Sequence, residues 1–376
     1  MSSQLEQAKE TLHHLAHKDE DTTMSGTLPR TFRAAVVEKP GKSAAYGAKP
    51  EEVEPVKFVL KDIPLQAPGH GQVLVRVIAS GICGSDVHIL NGMVGSQFPH
   101  VSGHEIIGEV AAIPETEDHW KIGDRVGGGW HGGHCHFCKQ CKRGKFTLCE
   151  NETVTGVSAW GGLAEYVLLR REAVVSVPGD VDPATYAPIL CAGVTVFNSL
   201  RNMGIAAGGI VAVAGVGGLG HLAVQYAARM GYRVVAIARD PSKKDESFKF
   251  GAMKYIDSSQ DAVEELKKLG GADCIIATAN SGPLMTKLQG GLARDGTLLT
   301  ISLIGPTPFD TNTLVTQRLK VRGWPSGSSI DSEEAIDFAK NFGVNCVVQK
   351  FPLDKIQEAY DIVDSGKIRY RSVIVM

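Results

Sequence analysis

Two textures of hydrophobic patterning divide the 376-residue chain. Between residues 31 and 185 the apolar positions fall in short runs rich in β-branched residues, at 32–37, 73–78, 108–113 and 164–169, separated by Gly, Pro and Asp. That pattern predicts a β-rich domain with irregular loops. From Pro188 onward strand-like and helix-like runs alternate. Strands are expected at 210–214, 233–238, 255–256, 274–278, 297–302 and 320–323, and helices at 221–230, 242–250, 261–269 and 283–292. Alternation of this kind predicts an α/β unit built on a doubly wound parallel sheet. After about residue 325 the tail is read as one helix, 331–341, followed by a strand, 372–375, that returns to the first domain. The expected division is a polar extension at 1–30, a β-rich domain from 31–187 plus 325–376, and an α/β domain at 188–324.

In the extension, Leu5, Ala8, Leu12, Leu15 and Ala16 recur at helical spacing and predict a short amphipathic helix. His13, His14 and His17 read as its solvated face, since no cysteine or second ligand cluster is near them. Met24, just before the first strand-like run, is an alternative start. The balance of 39 basic against 41 acidic residues gives no electrostatic reason to expect nucleic acid or a membrane as partner. No apolar run is long enough to cross a bilayer, and the longest, 208–220, is broken by glycines.

Cysteine changes the picture. Cys135-x₂-Cys138-x₂-Cys141-x₇-Cys149 brings four thiolates within reach of one tetrahedral ion, the pattern of a closed structural zinc site. A dispersed set, Cys83, the Gly103-His104-Glu105 run and Cys191, offers two thiolates and one imidazole and leaves a position open, the logic of a catalytic zinc. With six of eight cysteines in metal-like contexts and no apolar core in residues 1–20, a reducing, cytoplasmic compartment is expected. Cys274 and Cys346 read as buried small hydrophobes.

Gly215-Val216-Gly217-Gly218-Leu219-Gly220 lies directly after a strand and before a helix, where glycines let a pyrophosphate approach backbone N–H groups at a helix start. The next strand ends in Ala238-Arg239-Asp240. A carboxylate at the strand end would select NAD(H); here Ala238 stands there, a guanidinium follows, and Lys243 and Lys244 are near. This favours NADP(H), with NAD(H) possible if Arg239 stacks on the adenine and Asp240 takes the ribose.

Taken in order, the segments 83–88 (CGSDVH), 103–108 (GHEIIG), 123–126 (GDRV), the four-cysteine lobe and 190–195 (LCAGVT), ahead of the glycine turn, resemble the zinc-containing alcohol dehydrogenases of the medium-chain dehydrogenase/reductase superfamily over about residues 31–376. The resemblance implies a GroES-like β-rich domain carrying two zinc ions and a Rossmann domain carrying the cofactor, with the active site in the cleft between them. It implies that Cys83, His104 and Cys191 hold the catalytic zinc, which would lower the pKa of a bound alcohol from about 16 towards about 7 before hydride moves to the nicotinamide. Asp86 would orient the histidine ligand, and Glu105 would lie near the metal. Ser85 would pass the substrate proton towards His88; the plainer reading of His88 is a surface histidine. Thr195 would join the glycine turn against the cofactor. Cys135, Cys138, Cys141 and Cys149 would hold the structural zinc. A zinc ribbon gripping nucleic acid through Lys139, Lys142, Arg143 and Lys145 lacks an aromatic platform beyond Phe137 and Phe146.

Members acting on small alcohols often carry tryptophans after the relay histidine, whereas this chain has Leu90, Val94 and Phe98 there. Smaller walls predict a bulkier primary or secondary alcohol or aldehyde, aromatic or long-chain. An NAD-dependent alcohol or polyol dehydrogenase is the nearest alternative, and a zinc protein that keeps the fold without turnover the next. A homodimer or homotetramer is implied.

Overall fold

The computed structural model describes residues 22–24, 28–43, 49–303 and 305–376. The helix expected over 5–16 and its three histidines lie outside the described residues. Met24 lies in a short strand, Thr22–Met24, that pairs with Ala112–Pro114, so part of the expected polar extension joins the sheet.

The first part of the chain contributes β1 (Gln72–Ile82), β2 (Ile106–Pro114), β3 (Arg125–Gly128) and β4 (Val174–Ser176), with a short helix α1 (Gly84–Leu90) directly after β1. The run at 164–169 forms Tyr166–Arg170, which also pairs with β1. Helix α2 (Ala192–Arg201) then leads into β5 (Ile210–Ala214), α3 (Gly220–Arg229), β6 (Arg233–Ala238), β7 (Lys254–Asp257), β8 (Ala272–Ala277), β9 (Leu292–Thr300) and β10 (Lys320–Gly323). These six strands are parallel in the order β7-β6-β5-β8-β9-β10. The order reverses beside β5, and ligands of such sheets bind at the carboxyl ends of the strands at that reversal. All five residues of β5 are buried, as a central parallel strand covered on both faces requires.

The chain then returns through α4 (Ser329–Phe342), β11 (Val348–Pro352), α5 (Ile356–Asp364) and β12 (Arg371–Val375). The first sheet runs β4-β3-β2-β1-β12-β11, and β12 pairs antiparallel with β1 from Ser372↔Ile82 to Val375↔Ala79. The expected returning strand is thus present. The single expected tail helix is corrected to two, with β11 between them. The missed helix α5 buries Ile356, Ala359 and Tyr360, an i, i+3, i+4 stripe that periodicity alone exposes.

The largest apolar core is continuous from one sheet to the other. Ile107, Val175, Leu190 and Val373 share it with Val213, Leu222, Tyr226 and Ile276. Cys274 and Cys346 are buried in this core, as expected.

Candidate metal centre and cofactor cradle

Cys83, His104, Glu105 and Cys191 converge: one ligand atom from each lies within 4.8 Å of all the others. Backbone conformation brings each one in. Cys83 caps α1, where its N–H donates to Asp86 Oδ2 at 2.8 Å. Asp86 Oδ1 accepts the N–H of Gly103 at 3.1 Å, fixing the loop that carries His104. Gly103 has φ +103 and no room for a Cβ against Leu163 and Ser80, so only glycine turns the chain there. Cys191 stands at the entry to α2.

Cys83 Sγ and Cys191 Sγ are 3.8 Å apart. Bonds of about 2.3 Å to one tetrahedral ion place two sulfurs about 3.8 Å apart, whereas a disulfide needs about 2.0 Å. Neither ring nitrogen of His104 makes a hydrogen bond, although the side chain is fully buried. Its Nδ1 lies 3.4 Å from Asp86 Oδ1. A buried imidazole facing two thiols with an unspent nitrogen suits a metal. The contact between the two sulfurs holds Cys83 well below its usual range and pushes Cys191 up. Glu105 is raised to about 7 by burial, and its carboxylate pairs with the buried guanidinium of Arg371.

Ser85 Oγ lies 3.7 Å from Cys83 Sγ at the start of α1, while His88, in the last turn, is half-buried and lowered by burial. Leu90 does not line the space beside the metal ligands. It is fully buried in the β-domain core with Val37, Ile82 and Tyr360, because it falls on the inner face of α1. Phe98 packs on the same core, edge-on to His100, and Val94 is exposed. A ring that does stand beside the candidate ligands is Trp130, 5.0 Å from His104 and edge-on at 88°. It follows three glycines, the first two of which end β3, a signal that could have been read from the sequence.

The second cluster is local. Cys138 Sγ is 3.5 Å from Cys141 Sγ and 3.9 Å from Cys149 Sγ, again the spacing of thiolates around one ion. Backbone N–H groups of Cys138, Cys135, Cys141 and Asn151 point at these sulfurs. Cys135 is drawn down to about 6, chiefly by the Cys138 N–H, while burial pushes Cys141 up to about 12. Both donor sets therefore fit zinc in number, type and spacing.

At the glycine turn, Gly215 has φ +104, and a Cβ on Gly220 would overlap the Gly215 carbonyl oxygen. Nothing lies within 4 Å of the Cβ position on Gly217, which leaves that side open for a ligand. Leu219 caps α3. Thr195 is buried on α2, one turn beyond Cys191. Ala238 ends β6 and Arg239 and Lys244 are exposed beyond it. Lys243 reaches elsewhere: its Nζ donates to Val216 O at 2.7 Å, on the turn itself. The Asp240 carboxylate accepts from Ser242 N at 2.9 Å.

Sequence reasoning missed Arg371. It sits in β12, and its guanidinium lies 3.1 Å from where a Cβ on Gly218 would be. One buried cation thus pairs with Glu105 and lies beside the glycine turn, so the two candidate sites adjoin. No local sequence signal marks it, because its partner Glu105 is 266 positions away.

Residues 69–179 match the alcohol dehydrogenase GroES-like domain, and residues 218–341 match the zinc-binding dehydrogenase family. The chain is 46% identical to alcohol dehydrogenase patD of Penicillium expansum over 354 residues, 94% of this chain and all of that protein. Among solved structures it resembles a cinnamyl alcohol dehydrogenase from Sorghum bicolor, at 27% identity and TM-score 0.81, covering 92% of this chain and 97% of the other. It also resembles the acetophenone reductase of Geotrichum candidum in complex with NAD, at 27% identity and TM-score 0.80, covering 93% and 99%. The chain belongs to the zinc-containing alcohol dehydrogenases of the medium-chain dehydrogenase/reductase superfamily, with a GroES-like and a Rossmann-type domain. It is an oxidoreductase of the alcohol dehydrogenase type acting on small molecules. Among the described residues no helix is long and apolar enough to cross a membrane.

Proposed function

We propose that the protein is a zinc-dependent alcohol dehydrogenase or aldehyde reductase that uses NADP(H) and acts on a bulky, aromatic alcohol or aldehyde. The observation that carries this reading is the junction at Arg371, which puts the Cys83–His104–Cys191–Glu105 cluster and the open face of the glycine turn on either side of one guanidinium. Zinc held by Cys83, His104 and Cys191 would supply Lewis acidity towards the substrate oxygen, and a second zinc would tie Cys135, Cys138, Cys141 and Cys149. Asp86 holds the His104 loop and faces its ring. Ser85, beside Cys83, would take the proton of the substrate hydroxyl as its own passes towards His88, which burial holds neutral at rest. Arg371 pairs with Glu105 at the cluster and adds positive charge beside the glycine turn, where a pyrophosphate would approach. Thr195 and Leu219 flank that cradle.

Aromatic specificity rests on Trp130 beside His104 rather than on the loop after His88. The names of the sorghum and Geotrichum neighbours support the same substrate class. The domain division at 31–187 with 325–376 and 188–324, a cytoplasmic location and a homodimer or homotetramer complete the proposal. Support for the location is that none of the eight cysteines is in a disulfide. Support for the oligomer is that β10, at the sheet edge, is exposed along its whole length.

The cofactor is tested by fluorescence titration of the zinc-replete protein with NADPH and with NADH. NADPH is expected to bind at least about tenfold more tightly, and Arg239→Ala to erase that difference. Equal or reversed affinities would overturn the NADP(H) reading and bring forward an NAD-dependent enzyme, for which Asp240 is the ribose ligand. Binding of neither would sink the dehydrogenase reading itself.

A further inference from the structure

The strand after Trp130, His131–Gly133, starts a chain of polar groups, two of them buried and the third, Glu152, partly exposed, that the reaction does not use. His131 Nδ1 is 2.8 Å from Glu152 Oε1, and His131 Nε2 is 3.1 Å from His134 Nδ1. His131 and His134 are 3% and 5% exposed. His134 also stacks on Phe146, with centroids 4.1 Å apart and planes at 19°, and its carbonyl accepts from Arg170 Nη2 at 3.0 Å. These are many directional contacts for three adjoining turns of chain, and both ends are tied to the four-cysteine lobe. His134 immediately precedes Cys135, and Glu152 follows Cys149 by three residues.

The other end of the same strand leads to the reactive cluster. His131 pairs with Val154, and Trp130 O accepts from Thr155 N at 3.2 Å. Trp130 is half-buried, and its ring stands edge-on to His104. A backbone pinned at residue 131 from both ring nitrogens of one side chain leaves the Trp130 Cα little freedom. Loss of Glu152 or His134 leaves a ring nitrogen of the buried His131 unsatisfied, so each partner helps hold this side chain in place.

We propose that the Glu152–His131–His134 chain is a positioning device that locks Trp130 against His104, so that the four-cysteine lobe sets the aromatic wall of the substrate pocket. His131 and Glu152 touch neither substrate nor cofactor and act through Trp130. This rests on the dehydrogenase reading for its substrate-side consequence, but the packing of Trp130 can be measured without turnover.

The test compares Trp130→Ala, His131→Phe, Glu152→Leu and Glu152→Gln with the wild type, using benzyl alcohol and ethanol as probes. Trp130→Ala and His131→Phe are each expected to change the benzyl-to-ethanol ratio of kcat/KM by about tenfold, mostly through KM for benzyl alcohol. The double variant should then match Trp130→Ala alone, since residues acting through one contact are not additive. Glu152→Leu should follow His131→Phe, while Glu152→Gln, which still accepts from His131, should restore the wild-type ratio. Acrylamide quenching of tryptophan emission, with Trp130→Phe removing that ring's signal, should increase in Glu152→Leu. An unchanged substrate ratio, effects that multiply in the double variant, or equal losses on both alcohols would overturn the proposal. A wild type inactive on every alcohol would instead overturn the dehydrogenase reading, and unchanged quenching in Glu152→Leu would then still refute the positioning role.

Discussion

The two cysteine clusters are built in opposite ways. The lobe takes all four sulfurs from 15 consecutive positions, 135–149, and needs only a few tight turns to close. The reactive cluster joins Cys83 to Cys191 across 108 positions, and each ligand is placed by a different piece of the fold. Cys83 comes from a helix cap, His104 from a glycine turn and Cys191 from the entry to α2. The lobe is ringed by backbone N–H groups that satisfy its sulfurs. The Cys83–His104–Cys191 cluster instead keeps an unsatisfied imidazole and a carboxylate paired with a buried guanidinium. A closed, self-satisfied donor set suits a staple, and one with unspent capacity suits chemistry.

Substitutions can break that contrast. The largest effect is expected from Cys83→Ala, which should lower kcat/KM by more than about a thousandfold, the scale of several kcal/mol of lost charge stabilisation. Circular dichroism should stay native, and full turnover in this variant would remove the reactive role from the cluster. Cys138→Ser should do the reverse. Thermal unfolding should drop by at least about 5 °C, while activity per folded molecule changes far less, because a structural metal contributes chiefly to folding. If Cys138→Ser abolished turnover without loss of stability, the two clusters would not be divided in this way.

A smaller effect sharpens the comparison on the cofactor side. His221 sits fully buried at the start of α3, with Nδ1 bonded to Gly217 O at 3.1 Å and Nε2 accepting from Val347 N at 3.2 Å. Burial lowers it to about 3, so the folded protein keeps it neutral when the unfolded chain is already protonated. Its contribution to stability is therefore present above about pH 6.5 and is lost as the pH falls towards about 3, at no more than about 1.4 kcal/mol per unit. Urea unfolding at pH 7, 5 and 4 should show this slope in the wild type and a shallower one in His221→Gln. Parallel slopes would refute it.

Much of the site was legible because some chemistry is written at fixed spacing. The four cysteines, the glycine turn and the order of the motifs gave the fold class, both donor sets and the strand-turn-helix of the candidate cofactor cradle. The errors arose where distance along the chain hides proximity. Leu90 was read as a pocket wall because it follows His88, yet the helical period turns it into the core. Lys243 was grouped with Arg239 because both follow β6; its flexible stem carries the ammonium to Val216, on the glycine turn itself. Arg371 was passed over because nothing beside it in the sequence names its partner, and Trp130 because the glycines before it mark a close approach without saying to what.

The sequence by itself determined what recurs locally: the alternation of strand and helix, the thiolate spacing of the lobe and the glycines that only a close approach explains. Only the tertiary structure decided which distant groups share a buried volume, because burial is what gives a contact such as Arg371 with Glu105, or Trp130 with His104, its strength and direction. That volume is enclosed when β12 pairs back onto β1, some 300 positions after the chain left it.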